Sequence, residues 1–164
     1  MLIGLAASIK TPYTTSGIKH AIAIGASTAL IVCNRADDLD FQPDILIQLE
    51  VGPEVISGST RMKSGTAQKM TLNMISTTAM VLSGKCYGNL MVDLKATSDK
   101  LAARSRKILM ELLDISYDEA DRLLLAADGS VKLAIAMSRL GIDRDKAQQR
   151  LASVDGFLWK LLDS

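Results

Sequence analysis

Chemistry in this chain concentrates in one stretch, Gly58-Ser-Thr-Arg-Met-Lys-Ser-Gly-Thr-Ala-Gln-Lys69. Two hydroxyls, Ser59 and Thr60, stand at the start of a predicted helix, with Arg61 and Lys63 in its first turn. Cations there oppose the helix dipole by about 0.3 to 1 kcal/mol each. An anion reverses the sign: a phosphate on the free N–H groups of that turn would pair with both cations and accept from both hydroxyls. The stretch lacks the Gly-Lys-Ser/Thr interval of a Walker loop. A second reading stays open, in which Ser59 and Thr60 cap the helix and the basic side chains are solvated.

Ala7-Ser-Ile-Lys-Thr-Pro12 is the other hydroxyl-rich turn. It follows an apolar run read as a strand and precedes a helix, and ligands of open α/β sheets gather at the carboxyl ends of strands. Ser8 and Thr11 are therefore candidate ligand contacts, although an ordinary turn with Pro12 near the first helical position explains the same residues. Glu54 lies in the loop ahead of the first stretch, placed to act as an acid or base, to hold a sugar hydroxyl, or only to face solvent. His20, the single histidine, falls on a crossover helix away from both loops and supports neither a zinc site nor a catalytic triad. Cys33 reads as a small buried hydrophobe, and the eight methionines mostly as core filler.

These groups need a scaffold. The 164 residues allow one domain and a small appendage, and 48% hydrophobic content is enough for a sizeable core. A net charge of +1 leaves no global field to draw nucleic acid or anionic lipid, so any phosphate must be held by local geometry. Two cysteines are no disulfide framework, and free thiols in a reducing cytoplasm are expected. The amino-terminal apolar stretch has no basic flank and runs into Ser8 and Lys10, a poor match to a signal peptide, and residues 21–33 are too short to span a bilayer. We expect a soluble, intracellular protein.

Charge density rises near Asp93: residues 1–93 hold seven Lys+Arg and seven Asp+Glu, residues 94–164 twelve and eleven. The first part reads as buried α/β structure and the second as an all-helical tail with a small three-helix module. Residues 2–7, 28–33 and 45–49 are apolar runs of the kind that parallel strands buried on both faces produce, with a crossover helix over 15–24 between the first two. A long helix is predicted over 59–83, and its apolar second half should be buried. In the tail, helices are expected over 94–113, from the Ser116-Tyr-Asp-Glu119 capping box to 127, over 131–140, over 144–153 behind Asp143, and over 157–162.

The run from Val51-Gly-Pro-Glu54 through Lys69, then Leu72-Asn-Met-Ile-Ser76 and Tyr87-Gly-Asn-Leu-Met-Val-Asp93, closely resembles the N-acetylmuramic acid 6-phosphate etherase family. The resemblance continues through Gly4-Leu-Ala-Ala-Ser8, Thr11-Pro-Tyr13, Val131-Lys-Leu-Ala-Ile135 and Gly156-Phe157, and so covers essentially the whole chain. It implies the carboxyl-terminal half of a sugar isomerase (SIS) domain, a doubly wound parallel sheet of which about three strands fall in residues 1–93, followed by the helical tail. It also implies a cytoplasmic, homodimeric lyase of cell-wall recycling. That lyase removes the C2 proton of the open-chain sugar, expels D-lactate from C3, adds water to give N-acetylglucosamine 6-phosphate, and uses neither metal nor cofactor. Contacts to the amino sugar 6-phosphate would fall on Ser8, Thr11, Ser59, Thr60, Arg61 and Lys63, with Glu54 at the substrate.

Two departures qualify what the resemblance implies. Family members are roughly twice this long, and their glycine-rich phosphate loop and the glutamates assigned as catalytic acid and base lie upstream of the residues matched here, so no catalytic residue is assigned. Ile9 stands where the family usually has Gly, and a β-branched residue resists positive φ. In the family's strand order residues 2–7 form a central strand; without a neighbour on one side that strand is an open apolar edge, which a missing segment or a second chain should cover. Three readings follow: part of an etherase that retains part of the phosphosugar site and lacks self-sufficient catalysis, a non-catalytic phosphosugar-binding module like the glucokinase-regulatory branch of the superfamily, or a structural dimerisation fragment.

Overall fold

The computed structural model describes residues 1–95 and 97–163. Ala96, inside the span expected as the first tail helix, and Ser164 at the end of the expected tail lie outside the described residues. The chain forms two compact units, Met1–Ser76 and Thr77–Ser164.

The first unit is an open α/β layer. Strands β1 (Leu2–Ala6), β2 (Thr28–Val32) and β3 (Ile45–Gln48) pair in parallel in the order β1-β2-β3. The register sets Leu2 beside Thr28 and Ala29 beside Ile45. Helix α1 (Pro12–Ala23) makes the β1-to-β2 crossover, three residues longer at its start than expected because Pro12, with its φ already helical, opens the first turn. Ile18 of α1 is fully buried with Leu30 and Val32. Asp44 pins the start of β2, accepting from the Thr28 amide at 2.6 Å and its hydroxyl at 3.1 Å. The Ala36 amide donates to Gln48 Oε1 at 2.7 Å, holding the loop after β2 against β3.

Two burial expectations are corrected. Only β2 is buried along its whole length; Leu2 and Ile3 of β1 and Ile45 and Leu46 of β3 are partly exposed, because each of these strands has a neighbour on one side only among the described residues. The long helix α2 (Lys63–Leu82) is not buried in its apolar half. Its only buried side chains are Ser64 and Thr71, seven residues apart and so on one stripe. Met70 and Met74, on other faces, are exposed, and so is Leu82, five turns beyond Ser64 on the same face.

The second unit begins within α2, continues through a short hairpin of β4 (Cys86–Tyr87) and β5 (Leu90–Met91), and is otherwise helical. Its helices are α3 (Asp99–Leu113), α4 (Tyr117–Ala126), α5 (Val131–Leu140), α6 (Arg144–Ser153) and α7 (Leu158–Leu162). Local chemistry starts four of them. Ser98, Ser116, Ser130 and Asp143 each accept from the third amide of the following helix, and Glu119 completes a capping box with Ser116. Val92, Leu109, Val131, Ile135 and Leu158 are fully buried at the centre of this unit. The fold class is thus α/β: a three-stranded parallel sheet followed by helices, a partial SIS-like domain and a helical tail.

Candidate functional site

The site is built at the carboxyl ends of β1, β2 and β3. Parallel strands all deliver their loops to this edge, which makes it the usual place for a ligand in an open α/β sheet. Cys33, one residue past β2, joins two of these loops. Its amide donates to Ala7 O at 3.1 Å, and its thiol donates to Ser64 O at 3.6 Å. The turn after β1 and the first turn of α2 are therefore neighbours at the end of the central strand. Cys33 is a buried free thiol, as expected, and its structural part in the site is not legible beforehand because nothing in sequence pairs position 33 with 7 or 64.

In the first loop Ser8 and Thr11 face each other across a tight turn. The Lys10 amide donates to Ser8 Oγ at 3.4 Å and Thr11 Oγ1 donates to Ser8 O at 3.3 Å. Thr11 is the N-cap residue of α1 but its hydroxyl does not bond the helix, so the first-turn amides beyond Pro12 receive no side-chain acceptor from it. Ile9 packs its side chain on the cluster of Ile18, Leu30, Val32 and Ala36. Its φ is not positive, so the branched residue sits here without backbone strain.

In the second loop the start of α2 falls four residues later than expected, at Lys63, and residues 60–62 form a turn ahead of it. Glu54 provides the reason. The Lys63 amide donates to Glu54 Oε2 and the Ser64 amide to Oε1, both at 3.0 Å, while Lys63 Nζ donates to Pro53 O at 2.7 Å. A side-chain carboxylate from nine residues upstream thus occupies the positive end of the helix. Those two N–H groups, Lys63's first, hold the Glu54 carboxyl below the usual range.

The sequence leads one to expect a phosphate on the free amides of this helix start; in the structure the Lys63 and Ser64 amides are not free, because Glu54 of the same chain occupies them. Glu54 stands out in sequence by its position in the loop, but its bond to the helix start carries no signal beyond that proximity. Among the described residues the side chains of Ser59, Thr60 and Arg61 make no hydrogen bond or ion pair within the protein. Ser59 and Arg61, with Val55, Ile56 and Met62, line a hollow of about 240 Å³. Lys63, by contrast, spends its ammonium on a backbone carbonyl. His20 is exposed on α1 and takes no part. Among the described residues no group of three or more His, Cys, Asp or Glu is placed to hold a metal ion, and no helix is long and apolar enough to cross a membrane.

An open parallel sheet with hydroxyl-rich loops and a basic helix start at its carboxyl edge has the form of the ligand-binding class of open α/β proteins. No protein-family model matches the chain. Curated relatives narrow the class. The chain is 47% identical over 163 residues to the N-acetylmuramic acid 6-phosphate etherase of Geobacillus thermodenitrificans, covering 99% of this chain and 55% of the relative. It is 49% identical over 162 residues to the protein of the same name in Rhodopirellula baltica, covering 99% and 54%. For that of Vibrio campbellii the identity is 45% over 164 residues, covering 100% and 53%. The chain spans about half the length of the curated relatives it matches, and corresponds to the carboxyl-terminal portion of N-acetylmuramic acid 6-phosphate etherases.

Proposed function

We propose that this chain is the carboxyl-terminal, phosphosugar-binding portion of a cytoplasmic etherase. In that reading Ser8, Thr11, Ser59, Thr60 and Arg61 contact an amino sugar 6-phosphate directly, and Lys63 and Glu54 shape the loop that presents them. The observation that supports it best is the meeting of the two hydroxyl-bearing loops at the end of β2, where Cys33 bonds Ala7 on one side and Ser64 on the other. Arg61 adds a guanidinium without a partner among the described residues, the donor geometry that suits a phosphate.

The reaction we assign to the whole enzyme is ether cleavage. A base takes the C2 proton of the open-chain sugar, the C3–oxygen bond breaks, D-lactate departs with that oxygen, and water adds to the resulting double bond. Such a sequence needs a carboxylate free to exchange protons. Glu54 is committed to two amides that stabilise its charged form, so it is poorly suited to that task. This favours a second reading for the chain on its own, a module that binds the phosphosugar without turning it over.

Calorimetry with N-acetylglucosamine 6-phosphate tests the binding, and absence of heat and of thermal shift at millimolar ligand would remove both readings. Assay of D-lactate release from N-acetylmuramic acid 6-phosphate separates them: we expect none from this chain alone, and measurable release would show that it holds its own acid and base. We further propose that the open edge of β1 is covered in the working assembly, by a second copy or by the amino-terminal half that the relatives possess.

A further inference from the structure

Glu54 precedes the Ser59–Arg61 stretch of the proposed phosphosugar site, yet both its oxygens accept from backbone amides of the protein. They close a loop upon the helix that follows it. The loop leaves Val51 through Gly52 and reaches Ser59 through Gly58, with φ of 71° and 82°, left-handed values that let the backbone double back. Three contacts then fasten it: the two amide bonds from Lys63 and Ser64 to the carboxylate, and the Lys63 ammonium on Pro53 O. Apart from these, the backbone bonds of the segment are local, from the Ser59 amide to Ile56 O and from the Arg61 amide to Ser59 O.

The hollow described above takes Val55 and Ile56 from one limb of this loop and Ser59, Arg61 and Met62 from the other. It lies between the two limbs of the loop. Val55 and Ile56 are 82% and 71% exposed, so burial of their side chains does not hold the loop in place.

We propose that Glu54 is a positioning residue: a carboxylate buckle that fills the helix start and fixes Ser59, Thr60 and Arg61 in a preformed arrangement, without touching the ligand's phosphate itself. This rests on the phosphosugar reading for its ligand, though not for its effect on the loop. A fixed carboxylate on the Lys63 and Ser64 amides keeps a second anion off those two groups, so at this loop the phosphate is held by side chains. Preorganisation of those side chains is where the buckle would act on affinity.

The test uses E54Q, which keeps length but has one acceptor oxygen, together with R61A and the double variant. Hydrogen exchange comes first and needs no ligand. The Lys63 and Ser64 amides should exchange about tenfold or more faster in E54Q, with the β2 amides of Leu30 and Val32 unchanged; unchanged exchange at Lys63 and Ser64 overturns the buckle, as does faster exchange throughout the sheet. Calorimetry with N-acetylglucosamine 6-phosphate then reads the coupling. Because Glu54 acts in part through Arg61, E54Q should weaken binding severalfold in the wild-type background and by a smaller factor in R61A, where only Ser59 and Thr60 remain to be positioned. Additive losses overturn the proposal, as does tighter binding by E54Q, which would mean that Glu54 competes with the ligand. If the wild-type chain ignores the sugar phosphate while exchange responds as expected, the phosphosugar reading falls and the buckle stands as a device of the loop.

Discussion

Arg61 carries the most weight among single side chains, since it is a permanent cation with no acidic partner among the described residues. A guanidinium left in solvent contributes little to stability, and its truncation should hardly move the melting temperature. Bound to a phosphate it forms charge-assisted hydrogen bonds. R61A should therefore weaken binding of N-acetylglucosamine 6-phosphate by about 1.5 to 3 kcal/mol, read by calorimetry. A change of a few tenths would mean that the side chain is merely solvated. Lys63 has less to lose, because its ammonium already serves Pro53 O, and its truncation should act mainly through the loop. The contrast between two cations two residues apart is not visible in sequence, where both are simply basic residues in one first turn.

Elements are more legible in the sequence than residue roles. The apolar runs identify all three parallel strands to within a residue, and the cap at Ser116, the Gly141 stop and the Asp143 cap place α4, α5 and α6 closely. Such signals are local, so sequence contains them. The start of α2 differs by four residues because the group that sets it, Glu54, reaches in from another segment. The hairpin of β4 and β5 escapes notice because strands of two residues have no period to detect. The exposure of α2 is hidden for a different reason: composition records how much apolar surface a helix has, and says nothing about whether a neighbour is present to cover it. The capping box permits a direct stability test. S116A removes the acceptor for the Glu119 amide and should cost about 0.5 to 2 kcal/mol in urea unfolding. Trp159, the only tryptophan, lies in the second unit and reports on it. The Glu119 carboxyl is held below its usual range, first by the Ser116 hydroxyl and then by the Ser116 amide. Its contribution is thus complete above the ordinary glutamate value of about 4.3 and declines as pH falls toward the depressed folded value. Acid unfolding of this unit should steepen below that point in the wild type and do so less in S116A.

At the scale of the molecule, the decisive feature is an edge. Strand β1 pairs with β2 on one side and with nothing on the other among the described residues, so alternate backbone N–H and C=O groups face outward along a strand of Leu-Ile-Gly-Leu-Ala. Leu2 and Ile3 are 38% and 39% exposed, and a hollow of about 680 Å³ opens beside them between β1 and the start of α1. Native edges are usually short, charged or interrupted by proline, and β1 has none of these protections. Its sequence suits a strand with neighbours on both sides. The unpaired edge also adjoins the proposed ligand site, because the Ser8 turn grows directly from the end of β1. Association through this edge should therefore be sensed at the site. We expect sedimentation velocity to show concentration-dependent association of the chain at micromolar levels. Ile3→Lys, which places a charge on the edge, should reduce it. An I3K chain that associates as strongly as the wild type would locate the contact elsewhere, with the exposed methionines of α2 as the next surface to alter.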